Sequence, residues 1–377
     1  MSLFILTFFA IYGGVHVYAF LRARSALGFG LSAGVIVAAC MLFMTVSPFL
    51  IRLLERNDYE LSARMLSYIA YLWMAALFLF FCGSVALDIA NGAVRLVGWM
   101  VRSPALAIPA KWSFLVAVAA SLVISIYGFF SALDIRTERM TVETSKLPAG
   151  IDRLRIVQIS DVHLGLIVRC GRLERVMQIV KAERPDIFVS TGDLVDAQIN
   201  KMTGMAELLS KVRAPYGNYA VTGNHEYYAG LDQALDFTRK AGFRILRGEV
   251  VQAGPITVAG VDDQTQIQFQ KSKWVSELQL LRDCPKDKFT LLLKHRPTVE
   301  QNALGLFDLQ LSGHTHRGQI YPFRYIAQIA YPMNAGRFDL AGGSILRVSR
   351  GTGTWGPPVR FLSPPEVTVI DLVRKHV

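Results

Sequence analysis

Four apolar stretches, at residues 2–21, 28–51, 66–87 and 112–132, constrain this chain more than any other feature. Each is long enough to cross a hydrocarbon core of about 30 Å as a helix of about 20 residues. A soluble core rarely supplies four such runs in succession, so an all-α transmembrane bundle of about four helices is expected for residues 1–135. Charges punctuate the runs: Arg22 and Arg24, then Arg52 to Arg64, then Asp88, Arg95, Arg102 and Lys111. Within the runs there is no Asp, Glu or Lys, which argues for an anchor rather than an ion path. His16, in the first run, reads as a packed residue. The stretch 89–101 is interrupted by Arg95 and reads as an interfacial helix, not a fifth span. Met-Ser-Leu-Phe lacks the basic start of a cleaved signal, so the first run is expected to remain as an anchor.

Composition locates the apolar excess. Only 18% of the chain is charged, against about a quarter for soluble proteins. Residues 1–150 hold 11 basic and 7 acidic residues, and the remainder holds 29 and 22. The second half is therefore ordinary in composition. The net charge of +11 points to anionic partners, phospholipid or phosphorylated substrate. Five Lys/Arg flank the first and third connections, and six flank the second connection and the exit from the fourth run. That small difference leans toward a multi-pass cell-membrane protein with both termini and the second half cytoplasmic. The four cysteines show no CxxC spacing and demand no oxidising compartment.

From Leu154 onward the pattern changes to short β-branched runs alternating with amphipathic segments, the mark of an α/β domain. Strands are expected at Leu154–Ile159, Ile187–Ser190, Tyr219–Val221, Ile256–Ala259, Phe289–Leu293 and Leu309–Leu311. Helices are expected at Gly171–Glu183, Met205–Val212, Leu231–Ala241 and Lys273–Arg282, and closing strands within Ser344–Val373. Residues 136–150 read as a linker, and 151–377 as the catalytic domain.

Seven histidines occur: His16, His163, His225, His295, His314, His316 and His376. Five of them fall just after expected strands, in Asp161-Val-His163, Gly223-Asn224-His225-Glu226, Lys294-His295 and Gly313-His314-Thr315-His316, and Gly192-Asp193 follows another strand. Ligands gather outside the carboxyl ends of strands in α/β sheets, so these loops form one site. Imidazole and carboxylate suit a divalent cation. Two Asp, four His and one Asn are too many donors for one ion, but suit two ions that share a carboxylate and grip a phosphoryl group. In extended chain, residues two apart face one side, so Asp161 can join His163 on one ion and His314 can join His316. Gly192, Gly223 and Gly313 permit the tight turns required.

The ordered set D-x-H, G-D, G-N-H-E, H and G-H-x-H resembles the calcineurin-like metallophosphoesterase superfamily over residues 151–377. The likeness is nearer to bacterial membrane-attached members. It is carried by Ile159-Ser160-Asp161-Val162-His163-Leu164-Gly165, Gly192-Asp193-Leu194-Val195-Asp196, Gly313-His314-Thr315-His316-Arg317-Gly318-Gln319 and Ser349-Arg350-Gly351-Thr352-Gly353. The resemblance implies a four-layer α/β/β/α sandwich and a pair of divalent ions, of Mn, Fe or Zn. By likeness, Asp161, His163 and His316 bind the first metal, Asn224, His295 and His314 bind the second, and Asp193 bridges them. His225 matches the family's general acid. Glu226 and Asp196 read either as groups that orient ligands or as plain capping and surface residues. Arg317 is a candidate phosphate contact.

An active membrane-bound hydrolase of phosphomonoesters, phosphodiesters or pyrophosphates is the expected function. A catalytically silent scaffold should have lost a ligand, and none is missing. A nuclease or nucleotide phosphodiesterase is disfavoured, because no Lys/Arg run or aromatic-interleaved basic stripe accompanies the site. Residues 320–331 are aromatic and apolar with one charge, Arg324. They read either as a buried strand and loop, or as an interfacial lip that admits an acyl or isoprenoid chain. The second reading makes a lipid-linked substrate such as UDP-diacylglucosamine the hypothesis to test, since membrane-attached relatives include hydrolases of such glycolipids.

Overall fold

A computed structural model describes residues 2–103, 107–196, 202, 204–270 and 275–375, with residues 2–5 and 270 described by backbone alone. His376, and Lys273 and Trp274 at the start of the last expected helix, lie outside the described residues. The chain divides into two compact units: residues 1–130 with 356–361, and residues 131–355 with 362–377.

The first unit contains α1 (Ser2–Leu27), α2 (Leu31–Arg56), α3 (Glu60–Met100) and α4 (Ala110–Ser131), all four long and apolar enough to cross a membrane. Its packing is that of a membrane bundle. Ser113, Ala117, Ser121 and Ser125 form a buried stripe on α4, where small side chains let helices approach closely. Leu122, Val123 and Ile126 of the same helix are exposed. α3 corrects one expectation: residues 89–101 are no separate interfacial helix but the continuation of a helix of 41 residues. Arg95 is a good helix former and the stretch has no proline, so nothing breaks the hydrogen-bond ladder. His16 is packed, as expected. Its Nδ1–H donates to Tyr12 O at 2.8 Å, and its Nε2 accepts from Trp73 Nε1–H at 2.9 Å.

The second unit is built on two six-stranded sheets. The first contains β1 (Arg136–Thr144), β2 (Arg153–Ile159), β3 (Ile187–Ser190), β4 (Asn218–Ala220), β5 (Arg244–Ile245) and β12 (Glu366–Arg374), in the order β1-β12-β2-β3-β4-β5. The second contains β6 (Glu249–Ala253), β7 (Ile256–Gly260), β8 (Thr290–Leu293), β9 (Leu309–Ser312), β10 (Gly336–Asp339) and β11 (Ile345–Val348), in the order β10-β11-β9-β8-β7-β6. Alternation along β2 serves two cores. Leu154 and Ile156 face the space between the sheets with Leu291 and Leu309, while Val157 and Ile159 face outward. On that outer face lie α5 (Cys170–Ala182), α6 (Met205–Ser210) and α8 (Leu231–Lys240), and α5 buries Leu173, Val176, Met177 and Val180 at helical spacing. α10 (Glu277–Leu281) covers the far side of the second sheet through Leu281 against Ala259 and Leu292. The result is the four-layer α/β/β/α sandwich.

The expected strands and helices are all present with shifted ends, and the last helix is shortened to α10. The linker reading of 136–150 is overturned. Residues 136–144 form β1, which pairs in parallel with β12 from Arg136 opposite Glu366 to Thr144 opposite Arg374. Leu147 is buried between the sheets. Edge-strand charges on Arg136, Glu138, Arg139 and Glu143 disguised a strand whose partner lies at the far end of the chain. Residues 320–331 are not a buried strand either. They contain α11 (Arg324–Ala330), in which no residue is buried.

Candidate metal centre

Every candidate donor lies within a few residues of a strand's carboxyl end. Asp161 and His163 follow β2, Asp193 follows β3, and Asn224 opens α7 (Asn224–Ala229) after β4. His295 follows β8, and His314 and His316 follow β9. Strands β2, β3 and β4 run parallel, as do β8 and β9, so five loops leave the two sheets at matching ends.

The backbone reaches the site by a different route from the one expected. Asp161, His163, Asp193, His314 and His316 have φ of 52°, 52°, 51°, 73° and 48°, all left-handed. Side chains therefore converge through repeated left-handed turns, not through the alternation of an extended chain. Asp and His tolerate this region better than most residues, and such strain concentrates at functional sites. Among the flanking glycines only Gly192, with φ +93°, needs its conformational freedom. Gly223 and Gly313 are needed for space, because a Cβ would overlap the carboxylates of Asp193 and Asp161.

Asp161, His163 and His316 form one group of donor atoms within 4.8 Å of one another, and Asp193, His295 and His314 form another. In the first, His163 Nε2 stands 3.0 Å from His316 Nε2, which lies 3.6 Å from Asp161 Oδ1. In the second, His295 Nε2 lies 3.1 Å from His314 Nδ1 and 3.2 Å from Asp193 Oδ2. That Oδ2 is also 3.8 Å from His163 Nε2, so it faces both groups, and His163, Asp193 and His225 form a third group of such atoms. Imidazole nitrogens so close fit neighbouring ligands about 2.1 Å from one ion. Asn224 supplies an independent indication: it is 7% exposed, and its Oδ1 has no hydrogen-bond partner. A buried amide oxygen left unmatched is costly, and a cation would satisfy it.

The surrounding groups orient these donors. Thr191 O accepts from His295 Nδ1–H at 2.8 Å, which directs Nε2 into the site. Asp161 accepts the His314 N–H at 2.9 Å, tying the first loop to the last. Glu226, ambiguous from sequence, is 3% exposed. It accepts the backbone N–H groups of Asp193 (3.0 Å), Leu194 (2.8 Å), Val195 (3.4 Å) and Gly223 (2.6 Å). It is the clamp of the Asp193 loop. Asp196 holds His225, whose Nδ1 lies 2.9 Å from the Asp196 carbonyl and 3.1 Å from Oδ1. His225 thus has its Nδ1 occupied and its ring edge-on to His163 at 4.6 Å.

Proton and cation compete for the same atoms. Burial opposes charge on His295, but Asp193 at hydrogen-bond distance pushes it up to about 10. Burial and the adjacent His295 push His314 down to about 3. The pair therefore favours a single positive charge, held on His295. Burial would raise Asp193, but His295 and His225 hold it well below the usual carboxylate range. His225 rises to about 9 despite its burial, through Asp193 and Asp196.

Arg317 is half-buried; burial, then Arg324 and Arg350, lower its pKa, while Glu366 and Glu138 act in the opposite direction. Sequence reasoning missed the aromatic rim. Tyr228 and Trp355 approach the His225 ring at 5.4 and 6.1 Å, Phe269 lies 6.0 Å from Tyr228, and Tyr331 meets His314 at 5.1 Å. Tyr228 was open to detection, since it lies three residues after His225 on α7 and shares its face. Phe269 and Trp355 are distant in sequence and carried no signal.

The family model for calcineurin-like phosphoesterases matches residues 154–318, which span all eight candidate ligand and acid positions. An uncharacterised metallophosphoesterase of Aquifex aeolicus is 40% identical over 257 residues, covering 68% of this chain and 98% of that protein. Another, of Campylobacter jejuni, is 29% identical over 340 residues and covers 89% of this chain and 88% of that one. A zebrafish (Danio rerio) transmembrane protein with a metallophosphoesterase domain is 30% identical over 269 residues, or 68% of this chain and 62% of that one.

Proposed function

Because the chain belongs to the calcineurin-like metallophosphoesterases, we propose that it is a membrane-bound hydrolase of phosphoric esters or pyrophosphates with a two-metal centre. The family makes it a phosphoesterase, and four apolar helices associate it with membrane. The observation that carries the two-metal reading is Asp193 Oδ2 facing two donor groups, with the unmatched Asn224 Oδ1 beside His225 in sequence. Asp161, His163 and His316 would hold one ion, Asn224, His295 and His314 the other, and Asp193 both. When bound, such ions polarise a phosphoryl oxygen and supply hydroxide at neutral pH. This chain's own residues do the remainder. Asp196 fixes His225 through Nδ1, leaving Nε2 to protonate the departing oxygen. Glu226 keeps Asp193 in place. The donor set suits Mn, Fe or Zn alike. The test is chelation of the full-length protein, followed by metal titration with an aryl phosphodiester. Full activity of a verified metal-free preparation would end the two-metal reading.

The finer reading is a lipid-linked phosphate or pyrophosphate substrate, of which a nucleotide-linked glycolipid such as UDP-diacylglucosamine is one example. Its support is the rim of Tyr228, Phe269 and Trp355, which are 46%, 55% and 54% exposed around the acid histidine. Exposed aromatics beside a polar centre suit an amphiphile with a charged head and an apolar tail. Full-length enzyme in bilayers should turn over a glycolipid pyrophosphate with a higher kcat/KM than the matching water-soluble nucleotide sugar. Equal values would remove the lipid reading and leave the hydrolase intact. The charge counts favour a cytoplasmic catalytic unit, which protease protection in sealed vesicles would test.

A further inference from the structure

α11 breaks the rule that a surface helix buries one face. Phe323, Tyr325, Ile326 and Ile329 are 43%, 51%, 57% and 83% exposed, and Ile329 is the most exposed large apolar side chain among the described residues of its unit. Yet the helix is firmly fixed. Gly318 abuts the Arg324 backbone so closely that a Cβ would overlap it. Asn334 Nδ2–H donates to Arg324 O at 3.3 Å, and the Thr315 hydroxyl donates to Asn334 O. At the far end Tyr331 packs edge-on to His314 at 5.1 Å and accepts from Arg296 at 3.2 Å. The element is a rigid, apolar projection bolted to the loop that carries His314 and His316.

Charge selects its partner. Among the described residues neither Arg317 nor Arg324 forms an ion pair, and the Arg324 guanidinium lies 5.2 Å from the Tyr325 ring centre. Two arginines that act on each other, one of them within the exposed Tyr/Ile/Phe surface, match the headgroup–acyl boundary of an anionic bilayer. The second unit is also tethered closely to the membrane-spanning one. α4 ends at Ser131 and β1 begins at Arg136, a connection that spans at most roughly 18 Å when extended.

We infer that Phe323 and α11 form a membrane-inserting lip, with Tyr325, Ile326 and Ile329 in the acyl boundary and Arg317 and Arg324 on lipid phosphates. The lip seats the His314–His316 loop at the lipid surface. This inference rests on α1–α4 crossing the bilayer and is independent of which ester is cleaved.

The test uses full-length protein in liposomes of phosphatidylcholine, alone or mixed with phosphatidylglycerol, each doped with a phosphatidylcholine that carries a diazirine in its acyl chain. After illumination, adducts are mapped by mass spectrometry, with peptides of α2 and α4 as the internal positive control. Adducts are expected on residues 323–331 at yields well above those of exposed loop peptides such as Pro285–Lys288, and more abundantly with phosphatidylglycerol. Ile326→Asp with Ile329→Asp should remove them while labelling of α2 and α4 persists. Arg317→Gln and Arg324→Gln should each reduce the phosphatidylglycerol enhancement roughly five-fold. Labelled α2 and α4 with residues 323–331 at the loop background would overturn the inference. Loss of activity with lip labelling intact would instead count against the phosphoesterase reading.

Discussion

Glu226→Gln tests the structure most directly, because it changes one atom and leaves the shape of the side chain. Oε2 accepts the N–H groups of Asp193 at 3.0 Å and Gly223 at 2.6 Å, and Oε1 accepts those of Leu194 at 2.8 Å and Val195 at 3.4 Å. However the new amide turns, its NH₂ faces two backbone donors that had an acceptor. Each buried donor left unmet costs about 1–3 kcal/mol, so the Asp193 loop in its present form loses about 2–6 kcal/mol. The loop relaxes rather than accept that cost, and Asp193 moves with it. Damage to a residue that supports a ligand lowers metal affinity by roughly 10–100-fold. Chelator-stripped full-length protein should therefore need roughly 10–100-fold more Mn²⁺ for half-maximal hydrolysis of an aryl phosphodiester. Most of kcat should return at saturating metal, because every proposed ligand is still present. Metal content measured by mass spectrometry along the same titration separates weak binding from slow chemistry. A variant whose titration superimposes on that of wild type would refute the clamp assignment.

Three further outcomes are expected. Asp193→Asn should depress activity that excess metal does not restore, since one oxygen faces both donor groups; near-normal kcat with two ions bound would sink the bridging role. His225→Ala should lower kcat by roughly 10²–10⁴ with metal content preserved and a smaller loss for good leaving groups, whereas His314→Ala should lose metal; the reverse pattern means the roles are exchanged. Away from the site, Arg155 grips Asp371 at 2.8 and 2.9 Å and holds its carboxyl below the ordinary range. A depressed folded pKa stabilises above the unfolded value of about 3.9 and stops doing so as pH falls through the folded value. Wild type should then melt above Asp371→Asn at pH 7, with a gap that narrows only below about pH 4; a gap independent of pH would contradict the ion pair.

Much of this protein was legible in one dimension because the relevant physics is local. Twenty apolar residues in a row demand a bilayer or a deep core whatever surrounds them. The periods of two and of three-to-four placed β2, β3, β9, α5 and α8 to within a residue or two. Asp and His side chains announce cation chemistry by type, and their position just after strands announces a shared edge. What the sequence left open depends on segments that meet only in three dimensions. β1 looked like a linker because its strand character is realised only against β12, at the other end of the chain. Glu226 was ambiguous because a carboxylate's role is set by the donors around it, and three of its four come from the loop after β3. The donors converge through left-handed backbone that no side-chain pattern reports, held by contacts between loops such as Asp161 with the His314 N–H. α11 carried an apolar pattern equally suited to burial and to exposure. Only the packing of the loops beneath it left that apolar surface exposed, because sequence states what a side chain is, while the folded neighbours decide what it touches.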